Sequence, residues 1–407
     1  MAPVTKRNPF RFGDIVGDEY FADRKDELES LKSDIRSGQN AVIISPRRYG
    51  KSSLVEQAAS ELRQEGVLTA TVDLFGITSL NQMVDSIANV VYRDLARPLA
   101  RAWHEATDLL GRLQPHVVIK GAAGDLAAVT ISANLSPKDV ARAVEDVLGL
   151  PGEIATRRGR QVALVLDEFQ VVADIDRNLP ATMRKVFQRQ GHVSHVFLGS
   201  QQSLMTRLFT EKGQPMYRLA KRVPLGPIAV QPFAEFIKQG FRRSGIGIEE
   251  EAVGLLLGLT GAHPYHTQEL AHFTWNLAVA AGRAADVDMV RSAHEEVYRS
   301  ESPLFVAEWE RLSAHQRRTL TAIALEPSAA IFSDDFRSRH HLGAASSVQF
   351  SIEQLLGRNL VQSLGPGRYE VPDPYQRLWL IRLEGQARGA GRPPTPLPAA
   401  VTDFTVT

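Results

Sequence analysis

From residue 41 to about 225 the chain alternates short, unbroken apolar runs with segments whose apolar residues recur at helical spacing. The runs AVIIS (41–45), LTATVDL (68–74), VALVLD (162–167) and VSHVFLG (193–199) predict strands. Their lack of in-out alternation suits strands covered on both faces. Helices are expected from Lys51, near 79–98 and near 178–190. This order predicts an α/β core, a mostly parallel sheet with helices on its faces. Between the second and third strands lies a long insertion. Within it HVVIK and AAVTISA, joined by GAAGDL, read as a β-hairpin or as two edge strands at about 112–136.

After residue 225 the strand signals stop. EEEAVGLLLGLTGAHPYHTQELAHFTWNLAVAA reads as short helices broken at TGAHP, a small helical domain over 226–302. From 303 the pattern changes again. SAHQRRTLTAIAL opens with a capping box, Ser313 with Gln316 three residues on. Helices near 333–341 and 347–357 follow, the second with a stripe of Val348, Ile352, Leu355 and Leu356. LVQSL and RYEVP then flank a Gly-Pro-Gly turn, and three helices followed by a hairpin is the order of a winged-helix domain, here 303–385. The Gly-, Pro- and Ala-rich tail 386–407 is expected to be disordered.

Composition narrows the function classes. Across 407 residues, 47 Lys and Arg against 46 Asp and Glu leave a formal charge of +1. The whole chain therefore has no net pull toward nucleic acid or an anionic membrane. The absence of cysteine excludes structural disulfides, thiolate zinc sites and iron–sulfur clusters. With no signal-peptide core and no uncharged run near 18 residues, a soluble cytoplasmic protein without membrane contact is expected.

The chemistry concentrates in two stretches. SPRRYGKSS (45–53) has the essential end of a phosphate-binding loop: Gly50 for close backbone approach, Lys51 for the β and γ phosphates, and Ser52 for magnesium. Ser45 stands where such a loop usually opens with glycine, and Pro46, Arg47, Arg48, Tyr49 and Ser53 complete the stretch. The motif lies between an apolar strand and an amphipathic helix, as a nucleotide site requires. In VALVLDEF, five apolar residues end in Asp167 and Glu168. A buried strand delivers such carboxylates beside the loop, Asp167 to hold the magnesium and Glu168 to take a proton from the attacking water. Ser200 or Gln201, at the end of the next strand, can orient that water. Read without this context, the loop is a basic surface turn and the carboxylates an acidic strand end.

The motifs YFADRKDELESL, SPRRYGKSSL, VLDEFQ, GSQQSLM, PMYRLAKRVPLGPI, TGAHPYHTQEL and DPYQRLWLIR, in this order, resemble archaeal-type ATPases, an AAA+-related STAND group of P-loop NTPases. The resemblance covers about residues 10–385. It implies a P-loop core (1–225), a helical lid (226–302) and a winged helix, with ATP or ADP and Mg2+ as ligands. It also implies that the stretch around Phe21 and Arg24 borders the adenine, that Pro264 packs on base or ribose, and that His263 lies near the nucleotide. Relatives carry an arginine that completes a site in PMYRLAKR. The glycine usual between the Tyr and the Arg is missing here, so Arg218 and Arg222 both stand as candidates. Arg47 and Arg48 contact phosphate, pair across a subunit boundary, or are solvated.

Three functions fit an ATPase of this build. One is a nucleotide-controlled switch that forms homo-oligomers or assembles with a protein partner. Another is a DNA-handling ATPase acting through the winged helix. The third is a nucleotide-stabilised scaffold with little turnover. The third winged-helix helix exposes Gln349, Glu353 and Gln354 with basic charge only at Arg358, and the wing adds Arg368. Such a helix is a weak reader of DNA, although FRSRHH (336–341) is more basic.

Overall fold

The computed structural model describes residues 7–17, 20–96, 117–120, 128–131 and 137–387. Within them the chain divides into two compact units. One comprises Lys25–Ser45 and Lys51–Leu225, and the other the segment before Lys25, Pro46–Gly50 and the chain from Gly226 on.

The first unit is built on a five-stranded parallel sheet. Its strands are β1 (Ala41–Ile44), β2 (Leu68–Asp73), β5 (Val162–Asp167), β6 (Val193–Gly199) and β7 (Lys221–Pro224), in the order β2-β5-β6-β1-β7. β5 and β6 are apolar on both sides because helices cover both faces: β6 is buried along its whole length and β5 up to Leu166. The covering helices include Lys25–Arg36, Lys51–Gln64, Leu80–Val90 and Leu179–Phe187. Leu80–Val90 is capped by Ser79 and runs on as a π-helix, Val91–Ala96; the end of the predicted 79–98 helix lies outside the described residues.

In the insertion, β3 (Val117–Lys120) pairs antiparallel with β4 (Ala128–Ile131). The linking GAAGDL lies outside the described residues. Several elements were not foreseen, among them the helices Lys25–Arg36, Gln202–Thr210 and Pro374–Ala387, and two bear on the sheet. Pro137–Arg158 is a 22-residue helix with Pro151 inside it, and β7 pairs with β1 at the sheet edge.

The second unit holds two helical cores. In the first, the helices Val230–Arg243, Glu250–Thr260, Pro264–Ala281 and Val287–Glu310 surround Phe233, Ile237, Leu256, Leu270 and Val290. The N-terminal segment belongs here too, because Phe10 is buried against the helix at Gly240, where a Cβ would sit 2.7 Å from its ring. The break at TGAHP has a local cause. Gly261 ends one helix at φ 59°, and His263 caps the next with Pro264 at its first position.

The second core is the winged helix. The helices Ala314–Leu325, Asp334–Arg339 and Ala345–Gly357 precede the hairpin of β8 (Gln362–Gly365) and β9 (Arg368–Glu370), and Pro374–Ala387 follows. The capping box at Ser313 and Gln316 is present in both directions. The expected disordered tail lies outside the described residues beyond Ala387.

Candidate active site

β1, β5 and β6 run parallel, so their C-terminal ends share one edge, and the candidate residues follow those ends. Ser45, just after β1, is buried, and its carbonyl accepts a hydrogen bond from the Lys51 ammonium at 3.0 Å. Positive φ in the loop falls at Arg48 (65°) and Gly50 (83°), not at Ser45. The opening position therefore does not require glycine, and Gly50 does. Among the described residues, its chain neighbours aside, no atom lies within 4 Å of where a Cβ at Gly50 would be, so its demand is for backbone conformation and not for space. Lys51 then begins the helix Lys51–Gln64, whose N-terminal end carries the positive end of the helix dipole and suits an anion.

β5 delivers the acids. Ser52 donates its hydroxyl to Asp167 Oδ2 at 3.0 Å, while Asp167 Oδ1 accepts the backbone N–H of Glu168 at 2.8 Å. Burial pushes the Asp167 carboxyl upward against those two bonds, which pull it down, so the group is short of positive charge. A desolvated carboxylate beside a hydroxyl is a pair of hard oxygen donors, the type that suits a hard divalent cation.

Glu168 stands in the left-handed region, φ 50° and ψ 41°, as the chain turns out of β5. Its Oε2 accepts from Ser200 Oγ at 2.8 Å and from Gln170 Nε2. Ser200 thus faces the glutamate directly. Gln201 leads into the helix Gln202–Thr210 without capping it. Of the two candidate arginines, Arg218 lies in a left-handed turn with its guanidinium over Tyr217, and Arg222 lies on β7; both are exposed.

The rest of the phosphate loop is organised with the lid and winged helix. Pro46 and Tyr49 are buried, and Arg47 and Arg48 exposed. Arg24, itself buried, donates to the carbonyls of Tyr49 (3.3 Å) and Gly226 (2.5 Å), and Phe21 nearby in sequence is half-buried. Arg48 lies over the Tyr265 ring at 4.2 Å and 3.8 Å from Glu301. The Tyr49 ring meets His263 edge-on at 4.5 Å. Burial, with Glu370 adding to it, pushes the Tyr49 phenol up to about 12, while Gln362, whose amide donates to Glu370, pulls the other way. Residues of the loop, the lid and the wing hairpin therefore converge on one side chain.

His266 sits deeper. Its Nδ1 lies 3.1 Å from Glu269 Oε2 and its Nε2 3.2 Å from Asp373 Oδ2. Burial opposes its charge, but Asp373 and then Glu269 more than offset it and hold the imidazole up at about 9. For Asp373 burial again opposes, and His266 brings the carboxyl down to about 2. His263 goes the other way: burial, then the charge on His266, pushes it well below its ordinary value. The two shifts run in opposite directions, favouring the charged ring at His266 and the neutral ring at His263.

Gln170, Glu269, Glu301 and Asp373 were not singled out from sequence. Gln170 had a signal, two residues beyond Glu168 in VLDEFQ; the others become visible only through tertiary contacts.

Comparison with known proteins bears on the family and the fold. Residues 21–270 match the family described as an ATPase domain predominantly from Archaea, and residues 303–382 match a probable winged helix domain. An uncharacterized ATP-binding protein of Pyrococcus abyssi (strain GE5 / Orsay) is 26% identical over 273 residues, 62% of this chain and 73% of that protein. Among solved structures, a Walker-type ATPase of Pyrococcus abyssi superimposes with a TM-score of 0.63 at 18% identity, covering 90% of this chain and 99% of that one. The Aeropyrum pernix ORC2 protein, solved as ADPNP–ADP complexes, gives 0.56 at 15% identity, covering 94% and 100%. At these identities the likeness is one of fold. Because the matched ATPase domain spans well over half of the sequence, the chain belongs to the family of ATPase domains found predominantly in Archaea, here followed by a winged helix domain.

Proposed function

We propose that this ATPase is a Mg2+-dependent cytoplasmic switch of the AAA+/STAND type, in which nucleotide state sets the conformation of lid and winged helix and, through it, assembly with copies of itself or a protein partner. The observation that carries the reading is the placement of the loop tip: Arg48 against Tyr265 and Glu301, and Tyr49 against His263 and Gln362. A loop that rearranges around phosphates cannot leave those contacts unchanged. Nucleotide state and lid packing then share one set of side chains.

The chemistry assigned to the chain is hydrolysis of the terminal phosphoanhydride. Ser52 and Asp167 would hold Mg2+, which when bound neutralises phosphate charge. Lys51 exchanges the Ser45 carbonyl for phosphate oxygens. Glu168 accepts the proton of the water that attacks the γ-phosphorus as the bond to ADP breaks. Phe21, Arg24, His263 and Pro264 are assigned to the base and ribose side, and Arg218 or Arg222 to a site completed within the chain or by a neighbour.

The DNA-handling alternative needs free cations on the winged helix. The two arginines of its basic stretch are already paired, Arg337 with Asp334 and Arg339 with Asp335 and Glu326, and Arg358 of the third helix lies 3.5 Å from Glu308, which leaves the exposed Arg368 of the wing as the remaining cation named from sequence. Phosphate contacts supply most of the affinity for duplex DNA, which favours a protein-directed role. The test is light scattering of Glu168→Gln with ATP and with ADP, both with Mg2+. The reading expects the mass or shape to differ between the two nucleotides; identical behaviour, with wild-type turnover intact, would reduce the protein to an ATPase without a switch.

A further inference from the structure

We propose that Gln170 is the positioning residue for Glu168, fixing which oxygen of its carboxylate faces the attacking water. This rests on the assignment of Glu168 as general base. Gln170 Nε2 and Ser200 Oγ both donate to Oε2 of Glu168, and no described residue donates to Oε1. Saturating one oxygen leaves the other as the proton acceptor. The carboxylate is also held at its base, because Glu168 occupies a left-handed backbone position that a side chain rarely adopts.

The surroundings of Gln170 are arranged for that bond. The residue is 3% exposed, and its Oε1 is buried with no hydrogen-bond partner. A buried amide with one end unsatisfied is costly, and its retention points to the work of the other end. The amide lies against Gly199, the last residue of β6. A Cβ there would sit 2.6 Å from Gln170 Oε1 and would also collide with Met205. Gly199 leaves the space in which Gln170 reaches Glu168. Two residues remote from each other in sequence thus support one side-chain orientation.

The experiment compares Gln170→Leu, Gln170→Glu and Gly199→Ala with wild type, alone and combined with Glu168→Gln. Steady-state Mg2+-ATP turnover and the binding of a fluorescent ADP analogue are read for each. Leucine removes the donor without adding an unsatisfied group, so kcat falls roughly 10²-fold, the scale for a reacting group misplaced by about 1 Å, while nucleotide affinity stays within about twofold of wild type. In the Glu168→Gln background the same change costs nothing further. Gln170→Glu sets two carboxyls together. Its turnover relative to wild type is lowest at high pH and recovers as pH falls, because a shared proton restores the bond. A purely structural role would move neither readout. Wild-type kcat in Gln170→Leu, or an equal loss in the Glu168→Gln background, overturns the proposal. Full turnover in Glu168→Gln alone would instead overturn the base assignment, which separates the two failures. Should Gln170→Leu fail to fold, Gly199→Ala displaces the same amide and decides the question by the same comparison.

Discussion

Replacing Asp373 by Asn removes one charge from the buried pair it forms with His266 and leaves most else in place. Asp373 Oδ1 also accepts the backbone N–H of Tyr375 and of Gln376 at the start of the helix Pro374–Ala387, at 2.9 and 3.0 Å, and an asparagine oxygen performs that cap equally well. The substitution therefore isolates electrostatics. The structure raises His266 from its ordinary 6.5 to about 9. At about 1.4 kcal/mol per pH unit this comes to roughly 3 kcal/mol, within the range for breaking one partner of a buried pair. Glu269 remains and retains part of it, so about 2 kcal/mol is expected for Asp373→Asn at pH 6.5.

The sign follows from linkage. A group whose pKa is raised on folding contributes fully below its unfolded value, and the contribution fades as pH rises through the folded one. The deficit of Asp373→Asn should be largest at pH 6.5 and below, down to about pH 4, and should shrink between pH 6.5 and 9. Below about pH 4 it shrinks again, because Asp373, with its ordinary value of 3.8 brought down to about 2, takes up its proton there. Glu269, Glu301 and Arg48 also lie near the pair and are common to both proteins; Asp373 is the smallest of the influences on Glu301, so the difference is dominated by His266. Urea denaturation followed by tryptophan fluorescence at pH 5.5, 6.5, 7.5 and 9 measures it. A deficit that stays constant from pH 6.5 to 9 would refute the imidazolium–carboxylate account.

Glu168→Gln should lower Mg2+-dependent turnover roughly 10²–10⁴-fold while ATP binding by equilibrium titration survives. Ser45→Gly should leave turnover within about twofold, since Ser45 is not at positive φ, whereas Gly50→Ala forces a side chain to φ 83° at a cost of roughly 1–2 kcal/mol and should weaken ATP binding about tenfold. Of Arg218→Ala and Arg222→Ala, the one that completes a site should lose turnover by roughly 10³-fold. Specific activity that rises with protein concentration would then assign that arginine to a neighbouring copy. Duplex DNA should bind weakly; tight binding that falls steeply with salt would reverse the preference for a protein partner.

The strands of the sheet centre were legible because burial on both faces leaves a continuous apolar run, as in VALVLD and VSHVFLG. β7 was not, because KRVP lies at the edge with only Val223 buried. The helix Pro137–Arg158 was hidden by LGLPG, which reads as a break. Proline removes one backbone bond, but the burial of Val144, Val147, Leu148, Leu150 and Ile154 outweighs the loss. In the site, Lys51, Ser52, Asp167 and Glu168 could be named from local spacing, because loop and strand end each require particular residue types. The partners of Glu168 and His266 could not. Ser200 was noticed as a strand end, but its bond to Glu168 depends on β5 and β6 being neighbours in register, and the ion pair of His266 with Asp373 on how the winged helix meets the helices before it.

β7 has a consequence for how copies of this chain can join. Among the described residues it pairs with β1 alone, so its far side is an open row of backbone groups. That row is four residues long, carries exposed Lys221 and Arg222, and ends in Pro224, which has no N–H to offer. A second copy of this edge approaching it would set Arg222 against Arg222, Lys221 being paired with Asp34 at 2.8 Å, and find a missing donor. Copies that meet through this side must do so by side chains, and a continuous sheet running from one protein molecule into the next is closed to them.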